Sequence, residues 1–275
     1  MRISFFTFLI TITLITMIPA WCYGAPKKFT AIIVDLTDVL FTENKSGFTK
    51  QLGLKSLASY TLTHWKNPVE SCLDILEKMS NEESVKGEYT ITYKGRTMPR
   101  CMCEWQQGKK TYQDVQQELA DFMKQAVAKG YFTSNNEYAI IETILSLSLD
   151  PQQVPFITKP ITPMIELMEK LKKAGYTLYI LANFTMESFA TLSHAYPDVI
   201  TLFDDIVLSA HAQALKPSPK IFLHLLEKHN LNPDQCIFID DQEEYVQTAE
   251  QLGITGILYT KPQSIQKKLR ALGIL

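Results

Sequence analysis

The sequence predicts an α/β fold: a doubly wound, Rossmann-like parallel sheet with an inserted, mainly helical cap domain. Three observations predict it. Short runs of continuous apolar residues alternate with helical segments across 156–275, the mark of strands buried on both faces. One such run, Ala31–Val34, stands far upstream of the others. Between them, residues 45–155 are richer in charge and in helical periodicity, which reads as a second domain. The expected division is a leader at 1–24, a core of 25–44 with 156–275, and a cap at 45–155.

The leader comes first. Arg2 precedes an apolar run from Ile3 to Trp21, Pro19 ends it as a helix, and Cys22 and Gly24 are small residues ahead of a cut. This is the pattern of a secretory signal peptide, so the chain is expected to be exported to a periplasm or the medium. After cleavage no membrane partner is expected. The alternative is an uncleaved N-terminal membrane anchor, since the run approaches the ~20 residues that span a bilayer. Export implies an oxidising compartment for Cys72, Cys101, Cys103 and Cys236. Cys101 and Cys103 are too close to pair with each other. A bridge from Cys72 to either of them is expected, with Cys236 a free core thiol.

The strand Ala31–Val34 opens the core. In the cap, helices are expected over Val69–Met79, Tyr112–Lys129 and Glu137–Leu147. Glu88–Tyr93 followed by Lys94-Gly95 suggests a hairpin. Trp105–Gly108 reads as leading into a cap helix, with Thr111 as N-cap and Asp114 in the capping-box position, where Asp makes a weak box. The core resumes with a helix at Ile161–Ala174, stopped by Gly175, and a strand at Thr177–Leu181. A helix at Glu187–Ala195 and a strand at Ile206–Leu208 follow. Ser218-Pro219 opens a helix running to His229, Ser as N-cap and Pro in the first turn. Strand Cys236–Ile239, helix Tyr245–Leu252 and strand Gly256–Tyr259 complete the alternation.

Composition narrows the function. The chain has 275 residues, 46% hydrophobic and 20% charged, with 27 Lys and Arg against 29 Asp and Glu. That is an ordinary globular balance, which excludes a disordered protein. No basic stripe appears, so nucleic acid is not an expected partner.

Polar residues gather where buried strands end. Asp35 follows the first strand, within Asp35-Leu36-Thr37-Asp38-Val39-Leu40. Ala182-Asn183 follows the second, and Asp240-Asp241 ends a later one. Lys216-Pro217 lies between these, just ahead of a helix. In parallel sheets such ends face the ligand crevice. Three carboxylates there repel one another, and a hard divalent cation such as Mg²⁺ relieves the repulsion. A lysine balances the rest and holds an anion. An aspartate so placed can attack phosphorus and form an aspartyl phosphate.

These four motifs, in this order and strand context, resemble those of the haloacid dehalogenase superfamily of hydrolases over Phe29 to Tyr259. The resemblance implies Asp35 as nucleophile. It implies Mg²⁺ held by Asp35, the Thr37 carbonyl and Asp240, and phosphate bound by Lys216 and the Asn183 backbone. Asp241 would orient Lys216 or metal-bound water. A helical cap would sit between the first and second motifs. Two departures stand out. Thr37 occupies the position of the phosphatases' general acid and base, and its hydroxyl has no useful pKa near 7. Ala182 replaces the usual Ser or Thr that bonds the phosphoryl group. Asp38 stands at the usual Gly. The expected function is therefore an exported Mg²⁺-dependent phosphatase of a small phosphorylated compound, slow in turnover. The alternative is a non-catalytic binding protein on the same fold, with dehalogenation through Asp35 a third reading.

Overall fold

The computed structural model describes residues 28–53, 67–82, 91–93 and 95–275. The expected leader, and residues 88–90 of the expected hairpin strand, lie outside them. In chain order the elements are β1 (Ala31–Val34), β2 (Phe41–Glu43), α1 (Lys45–Leu52), α2 (Pro68–Glu82), β3 (Thr92–Tyr93), β4 (Arg96–Thr97) and α3 (Arg100–Gln106). There follow α4 (Tyr112–Ala128), α5 (Asn135–Leu149), β5 (Thr158–Pro160), α6 (Thr162–Lys173), β6 (Thr177–Ala182), α7 (Met186–Ala195) and β7 (Asp205–Leu208). Last come α8 (Pro219–Lys228), β8 (Cys236–Asp240), α9 (Glu243–Gln251), β9 (Thr255–Leu258) and α10 (Pro262–Ala271), with single helical turns between some of them.

Five strands form one parallel sheet in the order β7-β6-β1-β8-β9. The chain starts at the centre, builds outward through β6 and β7, then crosses over to β8 and β9. The reversal falls between β1 and β8, and crevices in open α/β sheets open beyond the strand ends at such a point.

The continuous apolar runs are explained by burial on both faces. Ile32, Val34, Ile180, Ile237 and Ile239 pack with Leu167 and Leu171 of α6 and Ile265 and Leu269 of α10. Their neighbours Ala31, Ile33, Leu181, Cys236 and Phe238 point the other way, onto Ile221, Phe222 and Leu225 of α8 and Ala249 of α9. Each wholly buried Ile or Leu contributes roughly 1.5–3 kcal/mol. Helix α10 lies beyond the elements expected from the sequence, although Pro262 at its start and Ile265 and Leu269 four apart carry its signal.

A second apolar cluster forms between β2 and β5. It joins Leu73 and Leu76 of α2, Cys101 and Trp105 of α3, Leu119 and Phe122 of α4, and Ile141 and Ile144 of α5. β2 and β5 pair antiparallel where the chain leaves and re-enters the sheet domain. β3 and β4 form a short hairpin. The Thr111 capping box closes in both directions: the Asp114 carboxylate accepts from the Thr111 backbone N–H at 2.8 Å, and the Thr111 hydroxyl accepts from the Asp114 N–H at 3.3 Å. Trp105 does not lead into that helix. It belongs to α3, and Gly108, with a left-handed backbone, lies beyond that helix's end.

The expected bridge from Cys72 to Cys101 or Cys103 is not formed; all three are buried thiols, as is Cys236. Burial pushes the Cys72 thiol up to about 12, which leaves little of the thiolate that disulfide chemistry requires.

Candidate active site

Four segments converge at the carboxyl ends of the strands. β1 delivers Asp35, whose backbone N–H still bonds to the Ile239 carbonyl at 2.9 Å, and β8 delivers Asp240 beside it. Lys216 approaches from the loop before α8. Its ammonium donates to Asp35 Oδ1 and to Asp240 Oδ2, both at 2.6 Å. The Lys216 side chain is 1% exposed and that of Asp240 is fully buried. Such short charge-assisted bonds offset the cost of burying three charges.

The backbone of Lys216 is also held. Its N–H donates to Asn183 Oδ1 at 2.8 Å, and its carbonyl accepts from Asn183 Nδ2 at 2.9 Å. The Asn183 side chain therefore closes a two-bond clamp across 33 residues of sequence, a function separate from the backbone N–H expected at the phosphate. The rings of Phe238 and Tyr245 flank the ammonium, with centroids 5.5 and 5.2 Å away. Aromatic faces attract a desolvated cation. Sequence reading missed both rings. Phe238 reads as an ordinary strand residue, and Tyr245 as the first apolar position of a helix.

Electrostatics follow from the crowding. Burial works against the charge on Lys216, but attraction from Asp240 and Asp35 outweighs it and raises its pKa. Burial, with repulsion from Asp35, holds the Asp240 carboxyl above the usual range despite the pull of Lys216. Asp241 is raised in the same direction by burial and then by Asp35. Asp241 accepts from the Gln242 side chain at 2.8 Å. The resemblance has Asp241 orient Lys216 or metal-bound water; the carboxylate of β8 that the Lys216 ammonium bonds is that of Asp240, its last residue.

Donor oxygens of Asp35, Asp240 and Asp241 lie within 4.8 Å of one another. Three carboxylates against one ammonium leave a charge of about −2, and all the donors are hard oxygens, so the residues fit Mg²⁺. Thr37, two residues beyond Asp35, is exposed. Asp38 adopts the left-handed backbone that Gly usually supplies, at φ 59°, and its Oδ1 accepts from the Thr42 hydroxyl at 3.2 Å. Ala182 is buried with the apolar core, where it offers a methyl and no hydroxyl.

Helix α3 also bonds to the segments that follow β6 and β7. The Ser209 hydroxyl accepts from the Phe184 N–H at 3.1 Å and donates to the Gln106 carbonyl at 2.5 Å. Trp105 Nε1–H donates to Glu187 at 3.2 Å. Leu215, next to Lys216, packs into the second apolar cluster.

A doubly wound parallel sheet with carboxylates and a buried lysine at its switch point defines a hydrolase-type α/β protein. The chain belongs to the haloacid dehalogenase-like hydrolase family, whose model matches residues 29–253. Among curated relatives it is 29% identical over 114 residues to the sesquiterpene phosphatase astK of Aspergillus oryzae, covering 42% of this chain and 58% of that protein. It is 36% identical over 121 residues to flavin mononucleotide hydrolase 1 of Arabidopsis thaliana, covering 40% and 44%. It is 30% identical over 120 residues to mouse acyl-CoA dehydrogenase family member 10, covering 42% of this chain and 11% of that protein. The match thus spans from about a tenth to under two thirds of these relatives' own length. A haloacid dehalogenase family enzyme of Bacteroides thetaiotaomicron, solved with magnesium, superposes with a TM-score of 0.53 at 20% identity, covering 85% of this chain and 94% of that one. A HAD-like hydrolase of Porphyromonas gingivalis gives 0.52 at 17% identity, covering 88% and 98%. At these identities the likeness concerns the fold.

Proposed function

We propose that the chain is an exported, Mg²⁺-dependent phosphatase of small phosphorylated compounds that works through an aspartyl phosphate on Asp35. The observation that carries this reading is the Lys216 ammonium placed 2.6 Å from both Asp35 and Asp240. An Asp35 oxygen attacks phosphorus, the bond from phosphorus to the ester oxygen breaks, and the alcohol leaves with a proton from water. A second water then attacks the phosphorus and releases Asp35. Lys216 holds Asp35 in line and neutralises charge on the transferring oxygens. Asn183 fixes the Lys216 backbone. A Mg²⁺ held by Asp35, the Thr37 carbonyl and Asp240 supplies the remaining positive charge when bound. Names of phosphatases among the relatives, and magnesium in a structural neighbour, support the same reading.

Turnover is slow on this reading, because Thr37 does no acid–base work and such help is worth ~10²–10⁴ in rate. The test is a panel of phosphate esters given to the full chain with and without Mg²⁺, with Asp35→Asn as blank. Mg²⁺-dependent release of phosphate above the blank is expected. The combined loss of an acid at Thr37 and of a hydroxyl at Ala182 favours one rival, a binding protein without turnover, and a panel that stays at the blank selects it.

A further inference from the structure

One polar group of the charge cluster has no part in the proposed reaction. The Tyr245 ring lies against Lys216, its centroid 5.2 Å from the ammonium. Its hydroxyl accepts from Asn183 Nδ2 at 3.5 Å, a long second bond for an amide whose shorter one goes to the Lys216 carbonyl at 2.9 Å. A phenol also has one hydrogen to donate. Among the described residues no acceptor takes it.

The hydroxyl belongs to the open side of the cluster. Among the buried members, the residual exposure lies with Asp35 and Tyr245, at 7% and 9%, against 1% for Lys216 and 0% for Asp240. Both stand at the carboxyl end of the sheet: Asp35 directly follows β1, and Tyr245 lies in the first turn of α9, just beyond β8. The phenol there is a donor and not an acid. Burial, aided by the carboxylates of Asp240 and Asp35, outweighs the pull of Lys216 and pushes it up to about 12. An O–H donor beside a buried ammonium suits an oxyanion, whose oxygens accept charge-assisted bonds. Ala182, ending β6 next to Asn183, offers such a ligand only a methyl.

Resting on the phosphatase reading, we propose that Tyr245 is a phosphoryl-binding residue: its hydroxyl donates to a non-bridging oxygen of the phosphoryl group, beside the Lys216 ammonium that neutralises the charge. Asn183 Nδ2 orients the hydroxyl by occupying one of its acceptor positions. The same bond forms to the ester and to released phosphate, so Tyr245 acts on KM more than on kcat.

The test is calorimetry of inorganic phosphate binding to the full chain in Mg²⁺, for wild type and Tyr245→Phe. Phe keeps the ring against Lys216 and removes only the hydroxyl. The phosphate Kd is expected to rise roughly tenfold or more, with the Mg²⁺ Kd and the urea midpoint unchanged. Phosphate and Mg²⁺ affinity that weaken together, or a midpoint that falls with them, show a merely structural role and overturn the inference, because Lys216 holds the carboxylates the ion needs. An unchanged phosphate Kd, or a wild type that binds no phosphate, overturns it as well. A crystal structure of the wild type with Mg²⁺ and phosphate is the second measurement. A phosphate oxygen about 2.7 Å from the Tyr245 hydroxyl is expected, and one beyond hydrogen-bond reach overturns the inference. Weaker phosphate binding in Tyr245→Phe, with ester hydrolysis by the wild type no faster than the Asp35→Asn blank, leaves Tyr245 as a phosphate-binding residue and removes the phosphatase reading.

Discussion

Replacing Lys216 by Met isolates the charge that holds the site together. Met keeps most of the length of the buried stem, so packing changes little, while two ion pairs of 2.6 Å disappear. Asp35 and Asp240 then face each other with oxygens within 4.8 Å. At an effective dielectric near 20, two like charges at that distance repel by about 3.5 kcal/mol. The pair can escape by keeping one proton. Relative to an unfolded carboxyl near 3.9, that costs about 1.4 kcal/mol per pH unit, or about 1.5 kcal/mol at pH 5 and about 5.5 at pH 8. The smaller of the two costs sets the penalty. It is expected to be about 1.5 kcal/mol at pH 5 and to rise to about 3.5 at pH 8. The sign agrees with Asp240, whose folded carboxyl is already raised by burial. A carboxyl raised in the folded state binds more protons there, so stability falls as pH rises above the unfolded value. Urea unfolding of wild type and Lys216→Met in EDTA, at pH 5 and pH 8, measures it. A penalty that is the same at both pH values, or larger at pH 5, refutes the reasoning.

Thr37→Asp is expected to raise turnover by ~10²–10⁴, since it restores a proton donor two residues beyond Asp35, and adding Ala182→Ser should help less; steady-state kinetics on phenyl phosphate read both. Asn183→Leu removes both bonds to the Lys216 backbone. It should cost about 1–3 kcal/mol in urea unfolding and lower kcat more than it changes KM. Millimolar Mg²⁺ should raise the melting temperature of the wild type, by about 2.7 kcal/mol of stabilisation at a hundredfold excess over Kd, and an unchanged melting temperature counts against the metal site. Protein from its native host should begin at Ala25, as intact-mass measurement will show; a mass that retains residues 1–24 sinks the export reading.

The sheet was legible because its signal is local. Ala31–Val34 and Cys236–Ile239 are apolar without interruption, and only burial on both faces explains such runs at strand length. The polar residue that follows each run must then lie at the carboxyl end of its strand, which is why Asp35 and Asp240 stand out. The β2–β5 ribbon was not legible. Its two strands are three residues each and more than a hundred residues apart, so neither carries a period of its own. The thiols escaped for a related reason. Spacing says which cysteines can meet, but the depth at which Cys72 is buried depends on helices that pack from elsewhere in the chain. Asp38 was readable only as standing at the usual Gly, and the left-handed backbone it adopts there, at φ 59°, is seen in the structure.

What sequence could not reach is how Lys216 is held, and that bears on what the charge cluster says about turnover. A lysine motif states only that an ammonium is present. The structure adds two carboxylates, two aromatic faces and the Asn183 clamp, drawn from β1, β6, β8 and α9. Each of these contacts constrains the others, because a buried ammonium left half-satisfied would cost several kcal/mol. Thr37 is exposed and outside this web. Substitution there costs the fold little, whereas substitution at Lys216 or Asp240 threatens it. The charge cluster is therefore retained by stability as well as by chemistry, and its presence alone is weaker support for turnover than the motifs suggest. Thr37→Asp separates the two contributions, because it changes proton transfer while leaving the Lys216 web in place.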